Sequence, residues 1–302
     1  MQAAPALRKI LITAFKLLLT AAALWFVFAK LDFPSLLEQL KTARPLWLLL
    51  AVVFFILSKI LSSLRLNTYF RCLGLHLGEK ANLRLYALGM YYNLFLPGGI
   101  GGDGYKIYLL RKHYELSGKK LFQAVLLDRV SGLCAIIFLS FVILFFIEIR
   151  PIVNIVAVAG AILVFLVYNY TIRRFFPVFR GNLSVSNGYS LAVQAAQTVS
   201  VLLIMLSLGI ADQYKAYLLV FFISSVVAVL PLTIGGVGAR EIVFLFGARY
   251  FGLDTHQAVA ISLLFFCITA LVSLCGIYFS FNTKKILMSG SPNNQPIRNR
   301  NG

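Results

Sequence analysis

Six stretches of this chain, residues 10–29, 46–64, 122–149, 152–170, 191–210 and 256–281, are apolar over about the length that crosses a bilayer. A helix needs roughly 20 residues to span the hydrocarbon core, and lipid tolerates no unpaired backbone groups. The runs therefore read as membrane helices. Composition agrees: 60% of the 302 residues are hydrophobic and 13% charged, against about 45–50% and about 25% in a soluble domain. So little polar chain cannot cover so large a core, which excludes a water-soluble enzyme, a disordered chain and a disulfide scaffold. Cys72, Cys134, Cys267 and Cys275 form no CxxC pair, and His76, His113 and His256 sit at no ligand spacing. Neither a disulfide framework, a metal nor another cofactor is expected. The first run follows Arg8 and Lys9, but it is long for a signal core and Lys16 interrupts it, so it reads as a retained span.

Charge sets the orientation. Lys and Arg total 28 against 10 Asp and Glu, a net +18. In a chain with little water-exposed surface this excess fits the positive-inside rule and anionic headgroups rather than nucleic acid. Basic residues precede the first run and follow the second (Arg65, Arg71, Lys80, Arg84). They precede the third (Lys106, Arg111, Lys112, Lys119, Lys120) and follow the fourth (Arg173, Arg174, Arg180) and the last (Lys284, Lys285, Arg298, Arg300). Both termini are thereby expected in the cytoplasm. Two shorter apolar runs, 83–96 and 216–230, must each enter and leave on one side, the first from inside and the second from outside. They read as re-entrant or broken-helix hairpins over 83–112 and 216–252. The expected fold is an all-α polytopic membrane protein with about six full spans and these two hairpins. It forms one transmembrane domain over 1–288, followed by a disordered cytoplasmic tail over 289–302.

Both hairpins carry one pattern. Leu96-Pro97-Gly98-Gly99-Ile100-Gly101-Gly102-Asp103-Gly104-Tyr105-Lys106 aligns without a gap on Leu230-Pro231-Leu232-Thr233-Ile234-Gly235-Gly236-Val237-Gly238-Ala239-Arg240. With one hairpin entering from each side, the halves, about 1–150 and 151–288, form an inverted repeat. Many transporters use that arrangement to place broken helices around a midplane site. A single glycine cluster reads as close helix packing; two matched clusters, each with Pro before and a base after, point to a site. Proline removes a helix hydrogen bond, and a short helix after each cluster turns its positive end inward. The residues expected to hold an anionic substrate in the first hairpin are Pro97, Gly98, Gly101, Gly102, Asp103 as N-cap, Lys106 and Arg111. In the second they are Pro231, Gly235, Gly236, Gly238, Arg240 and Glu241, with Glu241 able to hold Arg240 in place. Asn93, one turn before Pro97, is placed to bond carbonyls freed by the break.

Asp128 and Arg129, just inside the third run, are either partners of other buried charges or a helix cap beside a snorkelling base. Lys59 reads as snorkelling. The sequence holds no HExxH, GxSxG or Walker motif, so no catalytic residue and no nucleotide coupling is expected.

Asn93 through Asp103, Leu109-Leu110-Arg111, Asp128-Arg129-x-x-Gly132-Leu133 and Leu230-Pro231 through Arg240-Glu241 together resemble the lysylphosphatidylglycerol synthase transmembrane-region family. That family includes the flippase part of the multiple peptide resistance factor proteins. The resemblance runs from the first span to the last. It implies an eight-element membrane domain with a lipid-accessible cavity, and movement of a phospholipid or lipid-linked anionic substrate between leaflets. Membrane lipids are the implied partners; a homo-oligomer and a separate lipid-modifying enzyme are compatible with it. Lys106 stands where the family more often has Arg. Only about twenty residues follow the last span, too few for the aminoacyl-transferring domain of two-part relatives. A stand-alone, non-enzymatic member is therefore expected. The alternatives are an intramembrane enzyme or accessory subunit acting on lipid-linked precursors, with Asp103, Asp128 or Glu241 as acid or base, and a membrane scaffold.

Overall fold

The structure, a computed structural model, describes residues 33–95, 100–114, 116–147, 151–229 and 238–281, with Leu18 and Trp25. The expected span over 10–29, the tail over 289–302, and Pro97, Gly98, Pro231, Gly235 and Gly236 lie outside the described residues. Every regular element among the described residues is helical. In chain order they are α1 (Phe33–Lys41), α2 (Pro45–Cys72), α3 (Glu79–Phe95), α4 (Gly101–His113), α5 (Gly118–Phe145) and α6 (Pro151–Phe175). A 3-10 turn (Pro177–Asn182) leads into α7 (Leu183–Ser207), followed by α8 (Tyr214–Val229), α9 (Ala239–Phe251), α10 (Thr255–Leu274) and α11 (Ile277–Phe281).

Five segments are long and apolar enough to cross a membrane: α2, α5, α6, Pro177–Ser207 and Thr255–Ser280. They correspond to five of the six apolar runs, and most begin earlier than the runs, because helical hydrogen bonding continues into polar chain beyond the hydrocarbon. Prolines open several of these helices, where a missing N–H costs nothing: Pro45 starts α2 and Pro151 starts α6. Asp254 caps α10, accepting the N–H groups of His256 at 2.8 Å and Gln257 at 3.0 Å.

The bundle is organised on the antiparallel pair α2 and α7. The Arg44 N–H donates to the Ser207 carbonyl at 2.9 Å at one end, and Ser200 Oγ donates to the Ala51 carbonyl at 2.9 Å. Farther along, Arg65 meets Ser190, and Tyr69 hydrogen-bonds Ser186. Small buried residues of α7 make this contact: Ser186, Ser190 and Ser200. Lipid tails are as apolar as leucine, so helices in a bilayer associate through such small residues and through interhelical hydrogen bonds.

Two apolar cores stack along these helices. One gathers Phe55, Val201, Phe221, Phe244 and Phe265; the other gathers Leu66, Phe70, Leu85, Leu110 and Leu121. On α2 the first core ends at Phe55 and the second begins at Leu66. The stretch between them holds Lys59, Ser62 and Arg65, and this polar belt is where the cavity lies.

The two short apolar runs are α3 and α8, with 17 and 16 residues. Each lies antiparallel to a 13-residue partner, α4 or α9. In the first pair the Gly102 N–H reaches Asn93 Oδ1 at 2.8 Å, and Lys106 lies across Gly89. In the second, Arg240 faces Ser225 and Gly247 abuts Val220. The packing role of glycine is real at Gly102: an added Cβ would overlap the Gly89 carbonyl oxygen, which cannot yield without moving α3. At Gly104 the same atom would meet open space.

This contrast gives a paired prediction. Gly102→Ala should destabilise the detergent-solubilised protein by about 1–3 kcal/mol, as overpacking does. Gly104→Ala should be neutral or slightly stabilising, since alanine favours the helix. Thermal unfolding of the two variants against wild type checks both.

Candidate functional site: a cationic chamber between the two hairpins

α2, both hairpins, α5, α7 and α10 enclose a cavity of about 310 Å³. Its described lining includes five cations, Lys59, Arg65, Lys106, Arg129 and Arg240, and two carboxylates, Asp103 and Asp128. Charges inside a membrane bundle are costly unless paired or serving a pathway.

Arg65 and Asp128 form the deepest pair. Arg65 Nε donates to Asp128 Oδ1 at 2.8 Å, and Arg65 Nη1 donates to Ser190 Oγ at 3.1 Å. Both residues are buried, at 5% and 6% exposure. Gly132, one turn beyond Asp128, admits the guanidinium; a Cβ there would stand 3.2 Å from Arg65 Nη1. Asp128 is therefore neither a cap nor interfacial: it lies within α5 and holds a cation from α2.

Asp103 serves two cations. Its Oδ1 accepts from Lys106 Nζ at 2.7 Å, and its Oδ2 accepts from Arg129 Nε. Lys106 also lies 5.0 Å from the Tyr86 ring centroid, and its stem occupies the space that Gly89 leaves open. The expectation that Asp103 caps α4 is corrected: Ile100 is the N-cap, and Asp103 sits in the first turn with its side chain turned across to α5. Asn93 also differs from expectation. It accepts the N–H of Gly102, on the far side of the break, and among the described residues it donates to no carbonyl.

Four amides at the helix starts are already used. Gly102 N–H goes to Asn93, the Asp103 and Gly104 N–H groups go to the Ile100 carbonyl, and Gly238 N–H goes to Glu241 Oε2 at 2.6 Å. Those four backbone donors are thus not free to face the chamber, whose cationic groups are side chains. Glu241 is 1% exposed and also accepts from Ser262 at 2.7 Å. It fixes the start of α9, from which Arg240 extends.

Arg240 and Lys59 complete the site. The Arg240 guanidinium lies 5.0 Å over Phe265 and 5.9 Å over Phe221, with Nη2 3.5 Å from Ser225 Oγ. Its Nη1 is buried with no hydrogen-bond partner. Lys59, read as snorkelling, instead lines the chamber with its ammonium 4.5 Å over Phe55.

Of the residues picked out in sequence, Asn93, Asp103, Lys106, Asp128, Arg129 and Arg240 come together here. Gly101 opens α4 and Gly102 sets its approach to α3. Gly238, with φ +83°, takes a backbone conformation that disfavours a side chain and precedes α9. Arg111 lies elsewhere: it is exposed, on the last turn of α4, beside Gly118. The sequence reading missed Arg65, Lys59, Gln194, Gln197 and Ser225 as chamber residues. The signal for two of them was present, since Lys59, Ser62 and Arg65 fall at helical spacing within a run that is otherwise apolar.

Among the described residues, no group of three His, Cys, Asp or Glu side chains is arranged to hold a metal ion. The fold and the chamber define an integral, polytopic α-helical membrane protein. Over residues 13–276 the sequence matches the family described as lysylphosphatidylglycerol synthase TM region, and the chain belongs to that family. No curated protein matches it.

Removing one partner from a buried pair leaves an uncompensated charge, at a cost of about 3–5 kcal/mol. Asp128→Ala should lose stability on that scale. Arg65→Met combined with Asp128→Leu should recover most of the loss, because apolar replacement of both partners is often neutral. Thermal unfolding of the single and double variants distinguishes a pair retained for the chamber's chemistry from one needed for folding.

Proposed function

We propose that this protein is a carrier, not an enzyme, and that it moves a phospholipid or lipid-linked anionic substrate between the leaflets of the cytoplasmic membrane. One observation carries the reading: a chamber of about 310 Å³ with five lining cations, inside a bundle of apolar helices. A phosphate between α3–α4 and α8–α9 meets Lys106, Arg129 and Arg240, while the acyl chains stay in lipid. Membership of a membrane-domain family of the lysylphosphatidylglycerol synthase type supports a lipid substrate.

In this reading the hairpins are the matched elements of an inverted repeat, one entering from each side. Rocking of the halves then opens the chamber to either leaflet in turn. The basic residues that flank the spans support cytoplasmic termini. With no nucleotide-binding motif in the sequence, the driving force is a gradient, the membrane potential or substrate mass action.

The test is leaflet exchange of fluorescent anionic, zwitterionic and lysyl-modified lipids in proteoliposomes. Wild type should exchange at least one of them. Arg240→Ala, and Asp103→Asn combined with Arg240→Ala, should slow exchange by about 10–100-fold, the kinetic equivalent of losing a charged hydrogen bond. Exchange that survives both undiminished would remove the chamber from the pathway.

A further inference from the structure

We infer that the chamber is matched to a headgroup carrying two or more negative charges, a phosphomonoester or pyrophosphate, and not to an aminoacylated headgroup bearing an ammonium. This rests on the lipid-carrier reading and names the substrate class of the same site.

The argument is a balance of charges. Asp128 is committed to Arg65, and Asp103 is divided between Lys106 and Arg129. Among the described residues, no carboxylate lies within ion-pair distance of Lys59 or Arg240, which rest on the faces of phenylalanines. The described lining therefore holds three more positive charges than negative ones. Glu241, the nearest further acid in sequence, is not on the lining and makes no ion pair among the described residues; it accepts from Gly238 and Ser262, and its charge offsets part of this excess near Arg240.

A dianion placed among Lys59, Lys106, Arg129 and Arg240 neutralises most of that excess. A monoanion such as a phosphodiester neutralises less. An aminoacyl ester of a phosphodiester adds a cation, and the chamber has no uncommitted carboxylate among its described residues to receive it.

Two orphaned polar atoms agree in sign and type. Arg240 Nη1 is a buried donor with nothing to donate to. Gln194, 4% exposed and on the lining, has an Oε1 that accepts from nothing. Unmade hydrogen bonds of buried groups are costly. A phosphate oxygen satisfies the first, and a hydroxyl, on the attached alcohol or the remaining P–OH of a doubly charged pyrophosphate, satisfies the second.

The experiment uses the full chain in nanodiscs of phosphatidylcholine. Phosphatidic acid, phosphatidylglycerol and lysyl-phosphatidylglycerol with the same acyl chains serve as lipid probes, and inorganic phosphate as the lipid-free one. Phosphatidic acid should bind at least about tenfold more tightly than phosphatidylglycerol, with lysyl-phosphatidylglycerol weakest, each tenfold being about 1.4 kcal/mol. Arg240→Gln and Lys59→Gln should each narrow the first gap. Should either variant fail to fold, the order of the lipids on wild type decides alone.

Lysyl-phosphatidylglycerol binding as tightly as phosphatidic acid overturns the inference and leaves the carrier reading intact. Inorganic phosphate binding as tightly as phosphatidic acid supports the charge match but assigns the site to a soluble phosphate, overturning the carrier reading. A phosphatidic acid preference without leaflet exchange of any lipid upholds the charge match and overturns the carrier reading.

Discussion

Two carboxylates hold three cations inside an apolar bundle, and the chamber depends on how they divide that work. Asp128 ties α5 to α2, and Asp103 ties α4 to α5 while also holding Lys106. The Asp128–Arg65 and Asp103–Arg129 contacts cross between helices, so these charges act as fasteners as well as lining, while Asp103–Lys106 lies within α4. An ion pair of this kind adds little net stability over apolar packing, yet is expensive to break from one side. That asymmetry holds the charged residues in one arrangement while the apolar cores supply the cohesion.

The cohesion is arranged to leave the chamber open. Phenylalanines and leucines fill one core at the level of Phe55 and Phe265, and another at the level of Leu66 and Leu121. Between the two, the residues that α2 turns to the cavity are Lys59, Ser62 and Arg65 rather than large apolar ones. Close contact of α2 with α7 through serines keeps these long helices together across that level without filling it. Gly89 and Gly132 extend the same economy of volume to the charges themselves, one making room for the Lys106 stem and the other for the Arg65 guanidinium.

The spans were legible because a run of about 20 apolar residues has few alternatives in lipid. The short helices α3 and α8 were legible because Pro and glycines follow apolar runs too short to cross. Much of the chamber was also legible as residue types: Asp103, Lys106, Asp128, Arg129 and Arg240 were singled out before their contacts were known. Their pairing was not. Nothing in sequence spacing says that Arg129 reaches back 26 residues to Asp103, or that Asp128 takes Arg65 from 63 residues away. Lys59 and Arg65 were assigned to the membrane surface because near a span end a snorkelling base and a buried one look alike. Only the serines around them distinguish the two. The use of the Gly102 and Gly238 N–H groups was not legible for a related reason: it depends on the side chains of Asn93 and Glu241, whose direction the glycine pattern does not encode.

Asp128 and Arg129 are neighbours in sequence, and neighbours on an α-helix point about 100° apart. One therefore reaches α2 and the other α4 from the same turn of α5. A rigid turn of α5 about its own axis moves both contacts together, so such a rotation disturbs the grip on Arg65 and the grip on Asp103 at once. The helix works as a shaft with two teeth: the wall formed by α2 and the hairpin formed by α3 and α4 keep step through it.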